Sequence, residues 1–301
     1  MFGKTLVVVF LLFSIGCGEV SRDVDQPVDD APDTVQLPNV AQWVKNGGGH
    51  FQDFGVADSS APSKLLFNWK TVSPPDARKS ALEPDTAQAL HNDSALAIDL
   101  YDVQLTEELR SQLSRLHRVQ WLRLSAGITN EDLSWIGGMK QLRGLALTRA
   151  KLTGANFQNL AKVESLEYLT LSGAEFSDVE FGTLPRLKKL ETLCLAGRSI
   201  NDACLTHLAK IRIPSLRSLN LEFSSVTEEG LRQFCEVYDL EYLNLYGSFK
   251  ISAESVTAIA KMKRLRVLGV GATGISPQYE RTTAVAELIR RLPKCRVDYG
   301  D

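Results

Sequence analysis

From Ala95 onward the chain repeats an apolar residue followed at +3 and +5 by two more. The units begin at Ala95, Val119, Leu142, Leu166, Leu190, Leu216, Leu240 and Leu265, at intervals of 23 to 26 residues. A self-similar period in that range is the signature of a solenoid built from small supersecondary units. Each unit opens on alternation, as in Leu166, Leu169 and Leu171 or Leu240, Leu243 and Leu245. That pattern predicts a short strand with one buried face. It then changes to helical spacing, as in Phe157, Leu160 and Val163, in Leu205, Leu208 and Ile211, or in Val256, Ile259 and Met262. Those residues share one helical face.

A polar column separates the two halves of each unit: Thr106, Thr129, Thr153, Ser177, Asn201, Thr227, Ser252 and Ser276. All eight are residue types that cap a helix by accepting a hydrogen bond from one of its orphan N–H groups. Pro277 suits the first helical position, where a missing N–H costs little. Acidic residues such as Glu107, Asp178, Asp202 and Glu228 follow the caps, and Lys140, Lys162, Lys188, Lys210 and Lys261 crowd the far ends. This polarity complements the helix dipole and accounts for most of the charge pattern without an anionic ligand.

These units resemble the cysteine-containing type of leucine-rich repeat, LxxLxLxxxxITDxGLxxL, found also in lipoproteins of planctomycete-like bacteria. The nearest local matches are Val226-Thr227-Glu228-Glu229-Gly230-Leu231 and Ile200-Asn201-Asp202-Ala203-Cys204-Leu205. The resemblance implies an α/β leucine-rich-repeat solenoid: a curved, right-handed stack with parallel strands on the concave face and helices on the convex face. One unit cannot bury its apolar face alone, so neighbouring units share a continuous core. The Asn or Cys that the family places after the strand is replaced by Val103, Gly127, Ala150, Ala174, Arg198, Ser224, Ser248 and Thr273. A weak or missing side-chain ladder is expected at that turn. Repeat two lacks a residue near Ile128 and repeat seven has an extra one near Lys250, so distortion is expected in both loops.

The period also divides the chain. Residues 1–17 read as a leader, with a basic start at Met1 to Lys4 and an apolar run, Thr5 to Phe13, too short to span a bilayer. Ser14-Ile15-Gly16-Cys17 resembles a bacterial lipobox, with Ser14 where the pattern prefers an aliphatic residue. The resemblance implies that Cys17 is acylated and that the lipid holds the protein to a membrane. Residues 18–38 read as an acidic tether. Its Asp23, Asp25, Asp29, Asp30 and Asp33, with Pro27, Pro32 and Pro38, leave too little apolar surface to offset the entropy of ordering. Residues 39–94 form an N-terminal capping region, with a short helix from Asn39 to Gly49 and a strand from His50 to Val56 beside the first repeat. Eight repeats fill 95–292. Val285, Leu288, Ile289 and Leu292 mark the apolar face of a last helix, and residues 293–301 are a C-terminal cap with a final strand at Cys295 to Tyr299.

Composition narrows the function. The 301 residues carry a formal charge of -2, which gives no global reason to expect nucleic acid. The five cysteines are too few and scattered for a disulfide framework and lack zinc-site spacing. His50, His91, His117 and His207 form no HExxH and no local cluster. Cys204 and His207 lie three apart on a helix, and the reading is a packing thiol beside a surface imidazole. GxSxG and GxxxxGK[ST] are absent from the sequence, and the GxGxxG spacing of Gly269, Gly271 and Gly274 falls on a repeat strand and the turn after it rather than before a dinucleotide-binding helix. No metal, cofactor or catalytic residue is expected, and the chain does not read as an enzyme.

What remains is the face the fold supplies. Residues beside the buried leucines project from the strands, and Tyr and Trp there are the types enriched at binding hot spots. The candidate contact residues are Trp121, Arg123, Tyr168, Asn220, Glu222, Tyr242, Asn244 and Tyr246, with Cys17 as the lipidation site. The expected function is a non-catalytic cell-envelope scaffold that is exported, lipid-anchored and holds a protein or peptide on its concave face. The alternative is a structural spacer without a dedicated ligand.

Overall fold

The computed structural model describes residues 71–72, 97–100, 105, 107–124, 128, 133–276 and 283–299. All lie in one of the two contact units of the chain. The expected leader, the tether and most of the region 39–94, including Asn39 to Gly49 and His50 to Val56, fall outside the described residues.

Strands and helices alternate: β1 (Thr71–Val72), β2 (Ala97–Leu100), α1 (Glu107–Leu113), β3 (Trp121–Leu124), β4 (Gly144–Leu147), α2 (Gly154–Leu160), β5 (Tyr168–Thr170), α3 (Asp178–Phe181), β6 (Thr192–Cys194), α4 (Asp202–Ile211), β7 (Ser218–Asn220), α5 (Glu228–Cys235), β8 (Tyr242–Asn244), α6 (Val256–Ile259), β9 (Val267–Gly269), α7 (Thr283–Arg291) and β10 (Arg296–Asp298). The ten strands among the described residues make one open parallel sheet in chain order. Parallel neighbours need a crossover in every connection, and the capped return segment of each repeat supplies it. The fold is an α/β leucine-rich-repeat solenoid.

The register is the one the period sets out. Ala97, Trp121, Gly144, Tyr168, Thr192, Ser218, Tyr242 and Val267 lie opposite one another across eight successive strands. Thr71–Val72 is the strand beside the first repeat, and β10 continues the sheet beyond the eighth. One residue along, Leu122, Leu145, Leu169, Leu193, Leu219, Leu243 and Leu268 point inward and are fully buried. They join Phe157, Leu160, Leu205, Leu208, Leu231, Phe234 and Ile259 from the helices in one contiguous core. Each such side chain contributes about 1.5–3 kcal/mol by leaving water. In α7 the buried face is Ala284, Val285 and Leu288, and Ile289 is exposed.

Local chemistry closes the units. Ser177 and Glu180 form a reciprocal capping box, with Ser177 N–H donating to Glu180 at 2.7 Å and Glu180 N–H to Ser177 Oγ at 3.3 Å. Asn201 Oδ1 accepts from Ala203 N–H at 2.9 Å. At Thr227 the work passes to the previous repeat, where the Asp202 carboxylate accepts from Thr227 N–H at 2.7 Å and from its hydroxyl at 2.6 Å. Repeats two and seven, each one residue off the common length, have a 3-10 turn in the return segment, Ile136–Gly138 and Ala253–Ser255, whereas repeat five, longer by two residues, keeps the α-helix α4.

A second column has no hydrophobic signature. Arg149, Gly173, Gly197, Phe223, Gly247 and Ala272 all have positive φ. Each of the first five donates its N–H to a carbonyl of the next repeat, at 2.8–3.1 Å, so the left-handed turn extends the backbone ladder past the strands. A left-handed conformation costs a residue with a Cβ roughly 1–2 kcal/mol, yet three of the six are not glycine. The neighbouring column is not without a ladder in the last repeats. Ser224 and Ser248 Oγ lie 2.9 Å apart, Ser248 Oγ donates to the Leu221 carbonyl at 2.7 Å, and Thr273 Oγ1 donates to that of Val270 at 2.6 Å. Small hydroxyls there restore part of what the missing Asn or Cys would have done.

Charged residues line the approach to the strands. Arg143 holds Glu167 with two bonds, at 2.9 and 2.6 Å. Arg217 and Arg264 both donate to Glu241, at 2.8 and 2.7 Å. Glu191 breaks the alternation: its Oε2 is buried without a hydrogen-bond partner. Burial first, and then the like charge of Glu167, raises its carboxyl above the usual range. The folded state therefore holds that proton more tightly than the unfolded chain. The cost of the ionised form is absent below the ordinary carboxylate range and grows as pH rises through the raised value. Glu191→Gln is expected to raise the thermal midpoint at pH 7 by about 1–2 °C, corresponding to about 0.5 kcal/mol, and to leave it unchanged near pH 4. A midpoint at pH 7 equal to or below that of the parent would contradict this account.

Candidate functional site

The outward columns of the sheet carry the expected contact residues, and the register brings them together as anticipated. Their exposure differs from expectation. Trp121, Arg123, Tyr168, Glu222 and Tyr242 are buried, and Asn220 and Asn244 are 0% exposed. Tyr246, at 39%, is the one candidate of the eight that faces water. Adjacent strands lie only about 4.8 Å apart, so long side chains in these columns lie against their cross-strand neighbours.

Three local arrangements show how. In repeats two to four the Trp121 ring fills the space above Gly144, where a Cβ would sit 1.8 Å from its Cε3. The missing side chain lets Trp121 reach across β4 to Tyr168, with ring centroids 4.9 Å apart. In repeats four and five, Thr170 and Ser172 hydroxyls pair at 2.9 Å, and the Cys194 thiol donates to the Tyr168 oxygen at 3.7 Å. Burial pushes the Tyr168 phenol well up and the Cys194 thiol up to about 12. Both stay protonated at neutral pH, so this pair presents no thiolate nucleophile.

The third arrangement is a polar clamp in repeats six and seven. The Glu222 carboxylate accepts from Asn220 Nδ2 at 3.1 Å and from Asn244 Nδ2 at 2.7 Å. Asn220 Oδ1 accepts from Glu222 N–H at 2.8 Å, and Asn244 Oδ1 from Tyr246 N–H at 2.9 Å. Each amide therefore spends its donor on the carboxylate and its acceptor on the backbone just beyond the strand. Such charge-assisted bonds are about twice as strong as neutral ones. The clamp fixes the path of the chain as it leaves β7 and β8 and so fixes where Phe223 and Tyr246 stand.

Those two residues belong to a surface that the hydrophobic pattern did not single out. Phe223 is 49% exposed and Phe249 69% exposed, and Tyr299 is exposed as well. Phe223 and Tyr246 meet edge to face, with centroids 5.6 Å apart. Each ring is seated over a glycine. A Cβ on Gly247 would lie 2.4 Å from Phe223 Cδ1, and one on Gly271 would lie 2.6 Å from Tyr246 Cδ2. The available signal in the sequence was an aromatic at Phe223 and Phe249, where the counterparts in the other described repeats from the third onward are glycine, alanine or polar.

Elsewhere the chemistry is quiet. Cys204 is a buried packing residue whose thiol burial pushes up to about 11. His207 is half-buried, not on the open helical surface: its Nε2 lies 2.9 Å from the Leu184 carbonyl, and its ring meets the edge of Phe181. Among the described residues no three His, Cys, Asp or Glu side chains gather as metal ligands, and no helix is long and apolar enough to cross a membrane.

No family profile matches the chain, and no curated protein matches its sequence. Among solved structures the chain is similar to an internalin from Listeria monocytogenes, with 16% identity over 76% of this chain and 72% of that one and a TM-score of 0.47. It is also similar to internalin C2 of the same organism, with 20% identity over 56% of this chain and 73% of that one and a TM-score of 0.38.

Proposed function

We propose that this protein is a non-catalytic scaffold of a bacterial cell envelope that holds a protein or peptide on the repeats near the C-terminal end of its sheet. The observation that carries the reading is the group Phe223, Tyr246 and Phe249: three exposed aromatic side chains at the ends of adjacent strands, set on a buried polar frame. Aromatic anchors with rings held in place lose little entropy on binding and are the usual hot spots of protein interfaces. The outward columns on β3 to β8, read from sequence as the contact face itself, act here as the support for that edge.

The lipobox-like Ser14-Ile15-Gly16-Cys17 and the resemblance to planctomycete-like lipoproteins support export and anchorage through an acylated Cys17. The acidic stretch that follows would hold the repeats away from an anionic lipid surface. The test uses the full chain expressed in a bacterial host with an envelope. Cys17→Ala is expected to move the protein from the detergent-phase fraction to the aqueous one. With the anchor intact, crosslinking in the native envelope is expected to give a discrete adduct that Tyr246→Ala with Phe249→Ala reduces at unchanged thermal stability. Tyr242 is unsuited to this test, because it is buried and its loss disturbs the sheet. Equal adduct from the double variant would dismiss this edge as the contact surface, and aqueous partition of the parent would dismiss the anchor.

A further inference from the structure

The scaffold reading leaves the partner's chemistry open, and the charge around the aromatic edge narrows it. In repeats five to eight the turns that carry the edge span residues 196–199, 222–225, 246–250 and 271–274. Their charged residues are Arg198, Lys250 and Glu222. Both cations are exposed, and among the described residues neither has an ion-pair partner. Arg143, Arg217, Arg232, Lys261, Arg264 and Arg290, by comparison, meet carboxylates. The nearby carboxylate of Glu222 is buried and turned to Asn220 and Asn244.

Phe223 is the second sign. It stands in the left-handed column where the two preceding repeats carry Gly173 and Gly197 and the next carries Gly247. A phenylalanine there bears the left-handed cost and still leaves half its ring in water. Its ring is oriented by Gly247 and by the edge of Tyr246, so the side chain is displayed rather than packed away. Gly197 N–H donates to the Glu222 carbonyl at 2.9 Å, which places Arg198 one strand spacing from Phe223. Lys250 directly follows Phe249. The edge thus carries the Phe223–Tyr246 ring pair, with exposed Phe249 and the exposed cations Arg198 and Lys250 in the same set of turns.

We propose that this edge binds a protein segment in which apolar side chains alternate with carboxylates, the apolar groups on Phe223, Tyr246 and Phe249 and the carboxylates on Arg198 and Lys250. The inference rests on the scaffold reading and adds the partner's charge. A second copy of the chain is a poor occupant, because a two-fold contact sets the patch against itself and opposes cation to cation. Single-stranded nucleic acid also takes aromatic platforms, but it requires a basic groove along the backbone. Two cations in a chain of net charge -2 do not make one.

The test is fluorescence anisotropy on the full chain with three labelled probes: a peptide of alternating Asp and Leu, its Lys-for-Asp counterpart, and oligothymidine. The Asp-Leu peptide is expected to bind, with an affinity that falls as salt is added. Phe249→Ser and Phe223→Gly are each expected to weaken it by about tenfold. Arg198→Glu with Lys250→Glu is expected to do the same and to remove the salt dependence. Phe223→Gly separates binding from folding, because glycine has no left-handed cost and the thermal midpoint should hold or rise. Preferential binding of the Lys-Leu peptide or of oligothymidine overturns the acidic partner, and the former would leave the scaffold reading standing. Asp-Leu binding that the four substitutions do not weaken, no binding by any probe, or self-association through this edge in sedimentation also overturns it.

Discussion

Leu243→Ala is expected to lower the free energy of unfolding by about 2–5 kcal/mol. Leu243 is fully buried and lies in register between Leu219 and Leu268 on the neighbouring strands. Removing three carbons takes away their transfer energy and leaves a cavity that neighbours on both sides cannot close, because their own backbones are pinned by the parallel ladder. The truncated side chain packs into two inter-repeat interfaces at once, and in a solenoid each interface is needed to hold the next unit. For a folded region of this size the loss is about 5–15 °C in midpoint. Val179→Ala is the matched control: Val179 is exposed on α3, and its truncation should stay within about 0.5 kcal/mol. Urea and thermal unfolding of both variants decide the matter. A Leu243→Ala protein with the parent's midpoint would place that leucine outside a shared core.

The contrast between Leu243 and its neighbours also shows what could be read from the sequence. An inward leucine has one way to satisfy the period, so the first outward column from Ala97 to Val267 could be written down strand by strand and stands in that register in the sheet. The caps at Ser177 and Asn201 were equally legible, because a short polar side chain before a helix has a single local task. The left-handed column was not. Its glycines alternate with Arg149, Phe223 and Ala272, and the backbone requirement there comes from pairing with the next repeat rather than from any side chain. The burial of Asn220, Glu222 and Asn244 was not legible either. Alternation says which way a strand side chain points, while whether it meets water depends on the residues one strand over. The candidate surface shifted for that reason from Tyr242 and the sheet face to Phe223, Tyr246 and Phe249 at its rim.

Gly144→Ala should be the clearest probe of that cross-strand packing. A methyl group at position 144 would lie 1.8 and 2.0 Å from Trp121 Cε3 and Cζ3, far inside contact distance, so the indole must leave its place against Tyr168. Overpacking of this kind costs about 1–3 kcal/mol. Trp121→Ala alone is expected to cost about 3–5 kcal/mol through lost burial. Combined, the two should fall well short of their sum, because the methyl then occupies space the ring has vacated, and alanine suits a strand better than glycine. The double-mutant cycle measured by urea unfolding is therefore expected to return a coupling of about 1–3 kcal/mol. If Gly144→Ala costs the same with and without the ring, Trp121 does not lie over β4. Because this packing lies in repeats two to four, away from Phe223 and Phe249, Gly144→Ala should weaken the fold while leaving Asp-Leu peptide affinity within about twofold at temperatures where the protein remains folded.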